Sequence, residues 1–259
     1  MGLLREYYVP EQSNAKSPQI VPIWLITLFA CLSSLGFFAR FASFDPVQIE
    51  RLMDYQTRQA QLQGALEDVL CETNHYVHSI TEHCQGRDLA PWENWAQWLM
   101  GQFYSPLMRT QNPRWIVYGG KGDCSERAAV LQDLLISQGI PSRFIGLGGH
   151  VVLEAQNEAG NWILDPDYGV VIKTGIDELE GQSTGELSGW LIQNGIAPPE
   201  SNQYEQIVRS KHDNVRLDWN EPLSPRLKKL ESFCELAVWL IPLVCWLWIG
   251  WSLRPVDLS

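Results

Sequence analysis

Gly122-Asp123-Cys124 opens the stretch that most narrows what this chain can fold into. Beyond it Ala128, Leu131, Leu134 and Leu135 recur at helical spacing, and the run stops at Gly139. Asp123 with Glu126 three residues on has capping-box spacing, and Gly139 stands where a helix C-terminus favours positive φ. The expectation is a helix whose first residue is Cys124. Unpaired N–H groups and the positive end of the helix dipole then face its sulfur, which favours thiolate over thiol. A free cysteine is more often a small core hydrophobe, so position alone does not define a nucleophile.

The next segments supply partners. Pro141 to Leu147 reads as a short strand, and Gly148-Gly149 hands over to His150-Val151-Val152-Leu153-Glu154-Ala155. After a turn-rich Asn157-Glu158-Ala159-Gly160 comes Asn161-Trp162-Ile163-Leu164-Asp165-Pro166. Two β-rich runs about a Gly-containing turn read as a hairpin. If Gln156 pairs with Asn161, Asp167 lies opposite His150 and Asp165 is its diagonal neighbour on the same face. An even-sum register would part them. Cysteine, imidazole and carboxylate can thus converge as a cysteine nucleophile requires, with a base for its proton and a third group to fix the base's tautomer.

Gly122-Asp123-Cys124, Gly139-Ile140-Pro141-Ser142-Arg143, Gly149-His150-Val151 and Leu164-Asp165-Pro166 resemble, in order, the core of the transglutaminase-like superfamily. The match runs from about Trp115 to Val171. The resemblance implies an α+β, papain-like fold with a nucleophile-bearing helix packed on an antiparallel sheet. It implies Cys124 as nucleophile, His150 as base, Asp165 as orienting carboxylate, and a peptide or protein substrate. Many members carry Ala-Trp after the histidine, whereas Val151-Val152 stands here, which bears on the groove wall and not on the triad. Such enzymes need an oxyanion donor besides the cysteine's own N–H. Trp115 and Tyr118, in a segment read as a strand or turn leading to Gly119-Gly120, are candidates by proximity. Hydrolysis is favoured over cross-linking, since it needs no second binding site. The rival reading is a non-catalytic module of the same fold tethered to the membrane; an intact triad speaks against it.

Lys and Arg number 19 against 30 Asp and Glu, and no basic run is long enough to suggest nucleic acid. Cys71, His75 and His78 share a helix, with His83 and Cys84 just beyond, yet no recognised zinc spacing is present. No metal or cofactor is expected. Cys71 and Cys84 are expected as free thiols, because a helix persisting beyond Cys71 would carry the two apart.

Residues 1–19 form a tail. Ile20 to Phe38 is uncharged and long enough to span hydrocarbon. Arg40, at the third place before any cut after Ala42, argues for a permanent anchor over a cleaved signal peptide. Residues 40–110 read as a helical membrane-proximal region, starting from an Asp45 cap with Pro46 and Gln48 and divisible into two helices at the polar stretch from Asp54 to Gln61. Its stripe of Trp92, Trp95 and Leu99 fits core packing or, beside an anchor, the membrane interface. The core occupies 111–197, with short helices from Ile176 to Gly181 and from Glu186 to Gln193. Residues 198–233 read as a linker or lid, 236–253 as a second span tolerating Pro242, and 254–259 as a tail. The expected partners are substrate, the lipid bilayer and other membrane proteins. Arg5, Lys16 and Arg254 flank the spans on the terminal side. Arg40, Arg51, Arg58, Arg216, Arg226, Lys228 and Lys229 lie on the domain side, which leans the domain towards the cytoplasm without excluding the outer side.

Overall fold

Alternation in three β-rich runs and helical spacing before them generate a mixed α+β structure, seen here in a computed structural model. It describes residues 23–42, 45–61, 64–158, 160–181, 183, 185–193, 196–209 and 214–253. The tails at 1–19 and 254–259, and Leu62 with its expected helical role, lie outside these.

A short parallel ladder joins β1 (Glu82–His83) to β2 (Lys121–Gly122), and the five-stranded sheet is antiparallel throughout. Strands β3 (Ser142–Leu147), β4 (His150–Asn157), β5 (Gly160–Asp165), β6 (Val170–Ile172) and β7 (Asn214–Arg216) lie in the order β6-β5-β4-β3-β7. Gly148 and Gly149, at φ 51° and 101°, form the tight turn that reverses β3 into β4, a conformation that side chains with a Cβ resist. Gln156 faces Asn161, the odd-sum register.

Two apolar layers cover the sheet. Phe144, Leu153, Ala155, Trp162 and Leu164 pack on α3 (Leu66–Ile80) and α6 (Cys124–Ser137). Their neighbours Ile145, Val152, Ile163 and Ile172 pack on α7 (Ile176–Gly181), α8 (Glu186–Gln193) and α9 (Pro198–Arg209). The segment expected as a linker or lid is therefore part of the domain. Tyr204 and Val208, at helical spacing, are buried from α9, and β7 extends the sheet along β3.

The membrane-proximal region contains α2 (Pro46–Gln61) and α3 as separate helices. Asp45 caps α2, accepting from the Val47 N–H at 2.9 Å. Farther on stand α4 (Trp95–Gly101), a 3₁₀ turn (Ser105–Met108) and α5 (Pro113–Gly119). The segment read as a strand or turn around Trp115 is helical instead. Asn112 caps it, Pro113 sets φ at its first position, and left-handed Gly120 ends it, which outweighs the β preference of Trp-Ile-Val-Tyr.

The terminal apolar helices α1 (Ile23–Ala42) and α10 (Pro225–Ser252) pack side by side, with Trp246 Nε1 donating to Ser34 Oγ at 3.0 Å. Among the described residues, α10 alone is long and apolar enough to cross a membrane. The two expected spans thus reduce to this helix and a shorter apolar stretch, Trp24–Ala39; residues 20–22 lie outside the described part. The foot of α10 is locked to the domain by buried Glu231, which accepts from Gln97 Nε2 at 3.0 Å and the Gln111 N–H at 2.8 Å.

Candidate active site

Cys124 is the first residue of α6. Asp123 Oδ1 accepts from the Glu126 N–H at 2.9 Å, and Glu126 Oε2 accepts from the Asp123 N–H at 3.0 Å, completing a capping box. Arg109 donates to Asp123 Oδ2 at 2.6 Å and Ser125 Oγ to Asp123 Oδ1 at 2.6 Å. Burial pushes the Glu126 carboxyl up to about 7, against the pull of the N–H it accepts. At the other end Gly139, at φ 73°, lets the Ile140 N–H reach back to the Leu135 carbonyl at 2.9 Å. Both helix ends are thus set by local sequence, which fixes where the sulfur stands.

His150 begins β4 and Asp165 ends β5, on the face shared with Val152 and Ile163. His150 Nε2 and Asp165 Oδ2 are 2.7 Å apart, and Asp165 is fully buried. The other carboxylate oxygen of Asp165 accepts from the N–H groups of Asp167 at 2.8 Å and Tyr168 at 3.1 Å. Those bonds anchor the acid from its own turn, so it approaches the imidazole from one direction. Burial disfavours the imidazolium. The charge and hydrogen bond of Asp165, with Cys124 beside the ring, outweigh that and raise the His150 pKa to about 10.

Asp167, the residue expected directly opposite His150, turns its carboxylate elsewhere. Its carboxylate accepts from Arg127 at 2.8 Å and pairs with His83 Nδ1 at 2.8 Å. Arg127 is buried one turn after Cys124. It also donates to the Asp167 carbonyl at 3.2 Å, Thr81 Oγ1 at 3.0 Å and the His78 carbonyl at 2.9 Å. This guanidinium joins the cysteine's helix to the turn that carries the acid and to the end of α3. Asn74 Nδ2 adds bonds to the carbonyls of Asp165 at 3.3 Å and Val170 at 3.0 Å.

The outer side of the imidazole is covered by aromatic rings. Tyr168 and Tyr204 lie edge-on to His150 at centroid distances of 5.5 and 5.8 Å, and to each other at 5.4 Å. They leave His150 8% exposed, while Cys124 is half-buried. Arg127, Tyr168 and Tyr204 join the site without any mark in the sequence. A polar residue three places into a helix and a tyrosine in a polar segment carry no distinctive pattern.

The two oxyanion candidates have other engagements. Trp115 Nε1 donates to Glu235 Oε1 of α10 at 2.8 Å, and Tyr118 packs edge-on against Trp115 at 5.8 Å. Helical α5 turns both towards α10, because a helix does not present them as the expected strand would. Cys71 and Cys84 are free thiols. Among the described residues no group of three or more His, Cys, Asp or Glu side chains is gathered as a metal ion would need. His83 binds Asp167 and His78 Nδ1 lies 3.1 Å from the Pro166 carbonyl.

The fold is a mixed α+β domain with an antiparallel sheet, and its site is a cysteine beside a histidine–aspartate pair. No protein-family model matches the chain, and no curated protein matches it. Among solved structures, Legionella pneumophila LapG is similar over 59% of this chain and 77% of its own, at 14% identity and TM-score 0.34. EGTA-treated LapG from the same organism is similar over 60% and 75%, at 15% identity and TM-score 0.35.

Proposed function

We propose that this protein is a membrane-anchored, transglutaminase-like cysteine enzyme that cleaves amide bonds of a peptide or protein through a thioester. The observation that carries the reading is the 2.7 Å contact of His150 with buried Asp165, with Cys124 at the start of a capped helix beside the same ring. Chemically, the proton shared between Cys124 and His150 resides on the imidazole, whose raised pKa retains it at neutral pH, and Sγ bonds to the amide carbonyl carbon. The Cys124 N–H, in the first turn of α6 where helical partners are lacking, receives the developing oxyanion. The C–N bond breaks, and the departing amine takes the proton held by His150. Water then attacks the thioester with His150 as base, releasing a carboxylic acid and the free thiol. An amine in place of water would give a cross-link. Hydrolysis is favoured because water needs no second binding site.

Anchoring rests on α10, whose length and apolarity suit a bilayer, and on α1 packed beside it. Both carry outward-facing apolar side chains, among them Leu28, Leu32, Leu35, Leu243 and Leu247. The charge pattern leans the domain to the cytoplasmic side.

Comparing protein termini and side-chain amides in membranes holding the wild type or Cys124→Ala tests the reading. New termini or deamidated sites should be present only with the wild type. Identical proteomes from cells that produce both proteins equally would count against it.

A further inference from the structure

The apolar surface of the α1–α10 pair does not end where α10 enters the domain. It continues onto α4 and the turn after it. Ala96 packs against Cys234 and Val238 of α10, and Cys234 Sγ lies 3.5 Å from Met100 Sδ. On the other side Trp95 lies against α1, with its ring 6.4 Å from Phe29. A Cβ on Gly36 would come within 2.8 Å of the same indole, so the small residue permits this approach. Beyond these contacts Leu99, Met100, Phe103 and Tyr104 are exposed, Phe103 to 88%. Phe233 and Leu236, in sequence on either side of the Cys234 that meets Met100, are also exposed at the beginning of the apolar part of α10. Immediately before that part Arg226, Lys228 and Lys229 are exposed.

We infer that α4 and its following turn lie in the headgroup layer of the bilayer, with Phe103 and Tyr104 inserted, as a second membrane contact beside the α1–α10 pair. The inference rests on the membrane-anchored reading given above. Three features select lipid as the occupant. The patch is continuous with the outward face of the anchor. Its rings are of the kind that settle at the membrane–water boundary. Arg226 and Lys229 lie about two turns and one turn before exposed Phe233 on the same face of α10, placed as cations are beside phosphate headgroups. The seating bears on the site, because the chain from Phe103 to Arg109 can reach at most about 20 Å. Arg109 binds Asp123, the cap of the cysteine's helix. An inserted turn would therefore hold the active site at a fixed height over the membrane surface.

The test uses full-length protein in vesicles of phosphatidylethanolamine and phosphatidylglycerol. Three variants each carry a photoactivatable residue: Phe103→p-benzoylphenylalanine, Leu243→p-benzoylphenylalanine on the exposed side of α10, and Val215→p-benzoylphenylalanine on the far sheet edge. All three positions are exposed, so the fold tolerates the change. After irradiation, lipid adducts are read by intact mass. The expected result is adducts at 103 and 243 and none at 215. Adducts at 243 without any at 103 would overturn the inference and leave the anchor standing. No adducts at 103 or 243 would overturn both. Adducts at all three positions, or a second copy of the chain captured at 103 in place of lipid, would also overturn the inference.

Discussion

Arg127 donates to both the carboxylate and the carbonyl of Asp167, at 2.8 and 3.2 Å, and so ties the cysteine's helix to the turn that begins at Asp165. Arg127 is 2% exposed, so the pair is desolvated, and each partner relies on the other.

Removing that guanidinium should cost both stability and turnover. Arg127→Met leaves Asp167, Thr81 and the His78 carbonyl without their donor. The expected loss is about 3–5 kcal/mol, the scale for breaking a buried pair. Denaturant unfolding of the variant measures it. A change below about 1 kcal/mol, within the range of exposed ion pairs, would show that the link bears no load.

The two aspartates should behave differently. Asp165→Asn is expected to lower turnover about 10²–10⁴-fold with the fold intact, since the imidazole loses the partner 2.7 Å away. Asp167→Asn should act chiefly on stability, through Arg127. Kinetics and melting curves of both variants separate the roles. A silent Asp165→Asn beside an inactive Asp167→Asn would reverse them.

The pH dependence of stability should carry the signature of His150. Its folded pKa is raised from an ordinary 6.5 to about 10, so the folded state holds the proton more tightly than the unfolded chain. The stabilisation from the pair is complete below about pH 6.5. It fades as pH rises towards about 10. Denaturation midpoints of the wild type should fall across that window, while those of His150→Gln should lack this component. Parallel curves would contradict the assignment.

Glu126 should act in the same direction over a lower pH window. Its folded pKa is raised to about 7 from the ordinary 4.5, so ionisation costs stability as pH climbs between those values. Glu126→Gln retains an oxygen for the Asp123 N–H while removing the buried charge. The variant should match the wild type at low pH and exceed it above neutrality. A variant that is less stable at every pH would show that the charge itself sustains the cap.

Tyr204 should matter as a ring. Its hydroxyl is buried beside the Asp165 carboxylate, while its ring covers His150. Tyr204→Phe is expected to preserve stability and activity, whereas Tyr204→Ala should destabilise by about 3–5 kcal/mol by opening a cavity. Equal losses in both would give the hydroxyl a role of its own.

Where local chemistry decides, the sequence was a faithful guide. Asp123 with Glu126, Gly139, and the Pro46 helix start act within one or two turns, and each stands as read. The facing of Gln156 and Asn161 follows from the alternation needed to bury one set of side chains on each side of the sheet. The segment from Trp115 to Tyr118 is helical where a strand or turn is expected, because the Asn112 cap, Pro113 and left-handed Gly120 outweigh the β preference of its β-branched and aromatic residues. Polar, proline-marked 198–233 looked like a linker, although Tyr204 and Val208 are a buried stripe whose partner strands lie far back in the chain. The role of Arg127 was hidden for a related reason. Its acceptors come from α3, the segment after it and the turn beyond β5, and no spacing within one element announces them.

The central claim, that His150 makes Cys124 a nucleophile, can be tested without knowing the substrate. Folded wild type and His150→Gln are treated with iodoacetamide at neutral pH, and carbamidomethylation of each cysteine is followed by peptide mass spectrometry. Cys84, half-buried like Cys124 and free, is the internal reference. In the wild type Cys124 should react well ahead of Cys84, and His150→Gln should remove that lead while leaving the Cys84 rate unchanged. Equal rates at the two cysteines in the wild type, or a lead that survives His150→Gln, would contradict the account.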